Sequence, residues 1–383
     1  MKRKCLAVGI ILLFVAIAYA PAIAQTTEKQ SASRGTWLYV GGSGPGNYTR
    51  IQDAINDASD GDTIYVYSGV YNETIVIPKA IKLLGDSKNT TQISAEIPPN
   101  DALISISSSD VTISGFTFYG FDSKYSAILE DTSHYPRNRN MTISDNIFMG
   151  TIACGISFYG WDRCNIIQNW FLSNHAFGIF LGAVSNCSII KNQLLSPKEN
   201  QCGLYLFDMS HCVISNNSII SSLNAITLNH IWDTVLSGNY FYNNTRTIVL
   251  DDGSYNNSIF SNSLDNPPQK MNPPLASIGI LISGFSSAIN VEKNMIRHCN
   301  IGIMIEDSWH ITISMNTFLK NNIHARFYNK YLPDTIWSQN YWGRPRILPK
   351  PIFGMAKSYA IIPCLIQFDW HPAQEPYDIP GVC

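Results

Sequence analysis

The chain has 383 residues, and its 26 basic side chains nearly balance 28 acidic ones. Charged residues make up 14% of it, against the ~25% usual in soluble domains, so the electrostatic footprint of a nucleic-acid binder is missing. A hydrophobic content of 45% with a net charge of -2 excludes intrinsic disorder. Polarity comes instead from amides and hydroxyls: there are 34 Asn, beside 50 Ile.

The first element is an address. Lys2, Arg3 and Lys4 precede an apolar stretch from Leu6 to Ala20, and Ala22-Ile23-Ala24 has the small-x-small pattern of a signal-peptidase site. Residues 1–24 therefore read as a signal peptide cut before Gln25, with an uncleaved anchor as the alternative. Cleavage leaves 23 basic against 28 acidic side chains. No later apolar span reaches 20 residues, so membrane contact is expected only through this segment. The body is expected to be exported: secreted, periplasmic or on the cell surface. Residues 25–36 read as a linker.

The next element is a short amphipathic helix over Thr49–Ala58, where Ile51, Ala54, Ile55 and Ala58 fall at i, i+3, i+4 and i+7. It precedes the first strand, Thr63–Val66, as a cap on an exposed strand edge would.

From there the chain repeats itself. An apolar residue stands three positions before a recurring site: Phe116, Asn146, Asn169, Asn192, Asn217, Asn239, Asn262, Asn294, Asn316 and Asn340. Most steps are 22 to 25 residues. A second phase runs beside it, as in Gly155-Ile-Ser-Phe, Gly178-Ile-Phe-Leu, Gly203-Leu-Tyr-Leu and Gly302-Ile-Met-Ile. Each unit thus reads as two short Ile-rich strands with polar turns and no helix. The fold class expected is all-β: a single-stranded right-handed parallel β-helix of about ten or more coils over residues 37–343. Ile stacks on itself along the lumen, and stacked Asn can hydrogen-bond amide to amide while tolerating left-handed backbone. A leucine-rich repeat would need a Leu-x-x-Leu-x-Leu frame and a convex helix, which these units lack. Residues 344–383, rich in proline, read as a C-terminal cap and wrapping tail, with Phe368 and Trp370 packing onto the last coils.

The block Tyr48-Thr49-Arg50-Ile51-Gln52-Asp53-Ala54-Ile55, then Asp60-Gly61-Asp62-Thr63-Ile64-Tyr65-Val66 and Gly69-Val70-Tyr71-Asn72-Glu73, resembles the opening of right-handed β-helix proteins of the pectin-lyase-like superfamily. The coils and Asn340-Tyr341-Trp342-Gly343 resemble its NosD-like branch, a periplasmic copper-binding, carbohydrate-binding and sugar-hydrolase group. The resemblance implies fold rather than activity. Of the polygalacturonase-type signatures only Asp251-Asp252 matches, and neither pectin-methylesterase nor pectate-lyase motifs appear, so no catalytic residue is carried over.

Equivalent positions of successive coils stack ~4.8 Å apart, so columns can be read as sites. One column gives Asp208, His230 and Asp252 on adjacent rungs, the candidate catalytic group. Two carboxylates ~9–10 Å apart would approach the upper spacing for an inverting glycosidase, with His230 between them. Asp251, Tyr205, Trp232, Glu306, Asp307 and Trp309 lie near in sequence and would bind a polysaccharide or glycan, aromatic rings serving as sugar platforms. The plainer reading is that polar turns collect Asp, Asn and His for backbone reasons. Calcium on Asp251 and Asp252 is an intermediate reading.

A second column stacks Cys164, Cys187 and Cys212, each five residues before its repeat Asn. A small filler ladder, a disulfide, or a soft-metal site for Cu(I) each fits that spacing. No His-x-His or Cys-x-x-Cys accompanies it, so no metal ligand is assigned. Cys364 and Cys383 could staple the tail. Three functions follow: a non-catalytic glycan or envelope binder, which is favoured, a polysaccharide-active enzyme, or a copper-centre accessory protein.

Overall fold

The computed structural model describes residues 35–95, 102–120, 126–130, 139–150, 153–172, 177–195, 202–267, 277–329, 334–356 and 365–379. Residues 1–24, expected to be a signal peptide, and Cys364 and Cys383 lie outside the described residues.

Three sheets of 13, 13 and 12 strands run the length of the molecule. Apart from the C-terminal strand Leu365–Asp369, strands pair in parallel with their equivalents one coil away: Ile143, Ile166, Ile189, Ile214, Leu236 and Ile259 oppose one another in turn along the first sheet. All are fully buried or nearly so. The chain is thus a β-solenoid, its lumen filled by the Ile columns that the sequence repeat displays. Stacking equal side chains every coil keeps apolar surface from water at about 25 cal/mol per Å².

Each coil carries three strands rather than two. The third starts directly after the recurring Asn and is short, two residues in Trp170–Phe171 and three in Thr317–Leu319. Its inward residues stack rings at the two ends, with mainly Leu and Ile between: Phe148 lies 5.1 Å from Phe118 and 4.6 Å from Phe171, and Phe318 lies 4.5 Å from Trp342 with rings 3° from parallel.

The recurring Asn builds the corner between the first and third sheets. In the typical rung, Asn169 donates from both its backbone N and its Nδ2 to Asn192 Oδ1, at 2.9 and 3.1 Å, and Nδ2 also donates to Ile143 O at 2.8 Å. The same contacts repeat from Asn146 through Asn316 to Asn340. The left-handed residue is not this Asn but the one before it. Gln168, Lys191, Asn216 and Met315 all have φ near +55°. The Asn side chain therefore closes a turn whose backbone cost falls on its neighbour.

The ends differ from the middle. The helix spans Ile51–Asp57, shorter than the pattern because Arg50 and Ala58 are extended. The Glu73 carboxylate accepts from Ile51 N and Gln52 N at 2.8 and 3.1 Å, occupying two of the first-turn donors. At the other end, Lys350–Ala356 and Leu365–Asp369 form an antiparallel hairpin. Asp369, fully buried, ends the amide ladder. Its oxygens accept from the backbone N of Gln339, Asn340 and His371, from Asn340 Nδ2 and from Trp342 Nε1, at 2.9 to 3.2 Å.

Candidate functional site

The second sheet carries the candidate site residues Tyr205, Asp208, His230 and Asp251 or leads into them. Its side away from the lumen bears two columns set by period-2 alternation. One includes Ser157, Phe180, Tyr205, Thr227 and Val249 on successive coils, and the other Tyr159, Gly182, Phe207, Asn229 and Asp251. In the first three coils these columns hold aromatic rings. Phe180 lies parallel to Tyr205, 5.5 Å away and 5° from coplanar orientation. Phe177 and Phe207 close on both at 5.4 to 6.1 Å. Tyr159, 45% exposed, meets Phe207 at 6.0 Å. Gly182 makes this possible: a Cβ there would stand 2.2 Å from Phe207 Cζ, so any side chain would lift the ring off the strip.

The strip adjoins the polar column. Asn229 Nδ2 donates to Tyr205 Oη at 3.1 Å. His230 Nδ1 and Asp208 Oδ1 are 2.6 Å apart with both side chains about half exposed, and Trp232 stands edge-on to the imidazole at 5.4 Å. Tyr205, Asp208, His230 and Trp232 therefore form one continuous surface. Asp252 lies one coil on and makes no side-chain hydrogen bond or ion pair among the described residues. Asp251 instead accepts from Ser283 Oγ at 3.0 Å and folds over Gly284, where a Cβ would come 2.0 Å from its Oδ1. Glu306, Asp307 and Trp309 lie two coils beyond Asp252, past the Ser283-Gly284 turn. Trp309 pairs there with exposed Phe285 at 6.1 Å.

Backbone geometry explains the composition of the polar column. Asp208, His230, Asp252 and Asp307 all have φ between +43° and +55°, where Asp and His are several-fold enriched. The His–Asp contact also recurs. His211 meets Asp233 at 3.5 Å, His298 meets Asp265 at 2.7 Å, and His310 meets Asp334 at 3.1 Å. Each of these histidines is likewise left-handed. The Asp208–His230 pair is one instance of a general way of tying adjacent turns together.

Sequence reasoning missed Tyr159, Phe177, Phe180 and Phe207. For Tyr159, Phe180 and Phe207 the signal is the second or fourth residue after the Gly of each second-phase strand, while Phe177 directly precedes Gly178. It also missed a cluster at the N-terminal edge, where Trp37, Tyr39, Tyr65 and Tyr67 lie 5.2 to 6.4 Å apart in a chain of ring contacts.

Among the described residues no group of three or more His, Cys, Asp or Glu is placed to hold a metal ion, so no third carboxylate joins Asp251 and Asp252. The cysteine column does not fit copper either. Cys187 and Cys212 are buried free thiols that donate to Ser185 O and Ser210 O at 3.2 and 3.1 Å. They accept from Cys164 N and Cys187 N at 3.2 and 3.3 Å. Thr234 and Asn257 continue the same ladder on the next coils. Hydrogen bonding with Cys164 raises Cys187 and hydrogen bonding with Cys187 raises Cys212, with burial adding to both, so the column stands as neutral thiols whose sulfurs are committed to the ladder.

Two family descriptions match the chain: a periplasmic copper-binding protein (NosD) family over residues 55–221 and a right-handed β-helix region over residues 177–332. No curated protein sequence matches it significantly. Among solved structures it is similar to the DFA-IIIase from Arthrobacter chlorophenolicus A6 in complex with GF2, at 12% identity and a TM-score of 0.62, covering 81% of this chain and 95% of that one. It is also similar to the A-module of the Azotobacter vinelandii mannuronan C-5 epimerase AlgE4, at 12% identity and a TM-score of 0.53, covering 76% and 88%. At that identity the likeness concerns the fold. The two matches overlap across the coils, and the three-sheet solenoid accounts for both. The chain is a right-handed parallel β-helix, and its residues 55–221 are similar to the NosD family.

Proposed function

We propose that the protein is an exported β-helix that binds glycan on the lateral face of its second sheet without cleaving it. The observation that carries this reading is the strip of Tyr159, Phe177, Phe180, Tyr205 and Phe207 bordered by Asn229 and the Asp208–His230 pair. Flat rings supply stacking faces for sugar C–H surfaces, and the polar border supplies hydrogen bonds for hydroxyls. Export is inferred from Lys2 to Ala24. No helix among the described residues is long and apolar enough to cross a membrane. A polysaccharide context agrees with the mannuronan epimerase among the structural neighbours.

The second reading is an enzyme using Asp208, His230 and Asp252. Binding is favoured over it because the His–Asp contact recurs at three other turns and Asp252 stands apart from it. Affinity electrophoresis through a panel of soluble polysaccharides tests the proposal. At least one should retard the protein, Tyr205→Ala with Phe180→Ala should abolish the retardation, and no reducing-end or unsaturated product should accumulate. Product formation that falls in both Asp208→Asn and Asp252→Asn would replace the binding reading with the enzymatic one.

A further inference from the structure

A second, independent feature lies at the C-terminal end of the solenoid. The strand Lys350–Ala356 pairs with Ile323–Asn329 only from Phe327 opposite Gly354 onward. Before that point it turns away to pair antiparallel with Leu365–Asp369. The two strands splay, and the gap is a cavity of about 600 Å³. That lies within the ~300–1,000 Å³ of small-molecule sites.

Its walls combine apolar surface with unpaired positive charge. Ile323, Trp342, Ile352 and Phe353 line it together with His324, Arg326 and Lys350, and no carboxylate is among the described lining residues. The Lys350 ammonium lies 5.9 Å from the Trp342 ring centroid and makes no ion pair among the described residues. Among the described residues Arg326 donates only to Met355 Sδ, at 3.5 Å. Arg346 keeps a buried Nε without a partner. Asp369 stands opposite Lys350 in the hairpin, yet both its oxygens are taken by N–H donors of the ladder end. Burial, then repulsion from Arg346 and Arg344, push the Lys350 ammonium down. Burial, then Lys350 and Arg346, take His324 down to about 4. Lys350 and Arg326 are half-buried, and a bound anion offsets the repulsion between Lys350 and its arginine neighbours.

We propose that this cleft binds a small organic oxyanion, its anionic head on Lys350 and Arg326 and its apolar body against Trp342 and Ile323. The site shares no residue with the aromatic strip, so the two proposals stand or fall separately.

Ligand-observed saturation-transfer NMR on the full chain, at neutral pH and low salt, tests it with four probes. Benzoate and phenyl phosphate carry both body and head, benzyl alcohol the body alone, and inorganic phosphate the head alone. Benzoate or phenyl phosphate should bind at least about tenfold more tightly than either partial probe, and the tighter of the two identifies a carboxylate or a phosphate head. Lys350→Met should weaken that binding about tenfold or more, the scale of one charged hydrogen bond. Arg326→Gln provides a second reading if Lys350→Met disturbs the hairpin. Tyr205→Ala should leave the affinity unchanged. Equal binding of benzyl alcohol, equal competition by inorganic phosphate, or full affinity in both cleft variants would each overturn the proposal.

Discussion

Replacing Asn217 by Ala tests the amide ladder at its centre. Asn217 Oδ1 accepts from Asn192 N and Nδ2 at 2.9 and 3.0 Å, and Asn217 Nδ2 donates to Ile189 O and Asn239 Oδ1 at 2.8 and 3.0 Å. In the variant, Asn192 Nδ2 keeps Ile166 O and Asn239 Oδ1 keeps Asn217 N. The Asn192 backbone N–H keeps nothing and is fully buried. Stranding one buried donor costs about 1–3 kcal/mol, and three weakened bonds add about one more, so the expected loss is roughly 2–4 kcal/mol. Urea unfolding followed by far-UV circular dichroism measures it. Exchange of the Asn192 amide should quicken roughly 30- to 1,000-fold by the same conversion. Because a solenoid's stability is a sum of neighbouring-coil terms, the faster exchange should be confined to coils near Asn192. Asn165→Ser is the control, an Asn on the first sheet with no side-chain hydrogen bond among the described residues. A loss below about 0.5 kcal/mol, the surface range, or one equal to that of Asn165→Ser, would refute the reasoning.

At the ladder's end, both Asp369→Ala and Asp369→Asn should lower the urea midpoint, because five N–H groups converge on two acceptors there; an Asn as stable as the wild type would show that an acceptor on both oxygens is not needed. Burial pushes Cys154, Cys202 and Cys299 up to about 12. Peptide mapping after iodoacetamide at pH 8 should find these three, with Cys187 and Cys212, unmodified in the folded protein and modified in urea; labelling of the native column would contradict the ladder role. Stability should also fall with acid through His324, whose folded value is held to about 4 by burial and by Lys350 and Arg346. Its stabilising contribution is complete above about pH 6.5 and is lost as the pH falls toward 4, by at most roughly 3 kcal/mol. His324→Leu should flatten that part of the profile, and an unchanged slope would exclude His324 as its source.

Much of this architecture is legible in the sequence because a solenoid writes its geometry as spacing. The step between Asn169, Asn192 and Asn217 is the coil length, and the Ile before each is the lumen. The third strand is hidden because two residues, Trp170 and Phe171, carry no periodicity of their own. The left-handed positions are harder still. Gln168, Lys191 and Met315 adopt φ near +55° without being Gly or Asn, since the ladder Asn that follows imposes the turn. Asp369 could not be read as the ladder's last member, because a hairpin returns it from 29 residues beyond Asn340. For the site, stacking placed Asp208 beside His230. The ring strip depends on Phe207 lying back across Gly182, a rotamer that no spacing encodes. The cleft beside Lys350 arises where the repeat stops.

The ladder also has a polarity. Every amide from Asn146 to Asn316 passes its donors to the oxygen of the next coil, and Asp369 receives without donating onward. Such a column can be lengthened only in whole units. Duplicating one coil between Asn192 and Asn217 reproduces a donor and an acceptor at each new junction, whereas a half-coil insertion leaves two mismatched ends. A terminal carboxylate offers no donor to a further rung from another chain. The molecule can therefore change length over evolutionary time by repeat duplication while keeping a fixed stop against open-ended stacking.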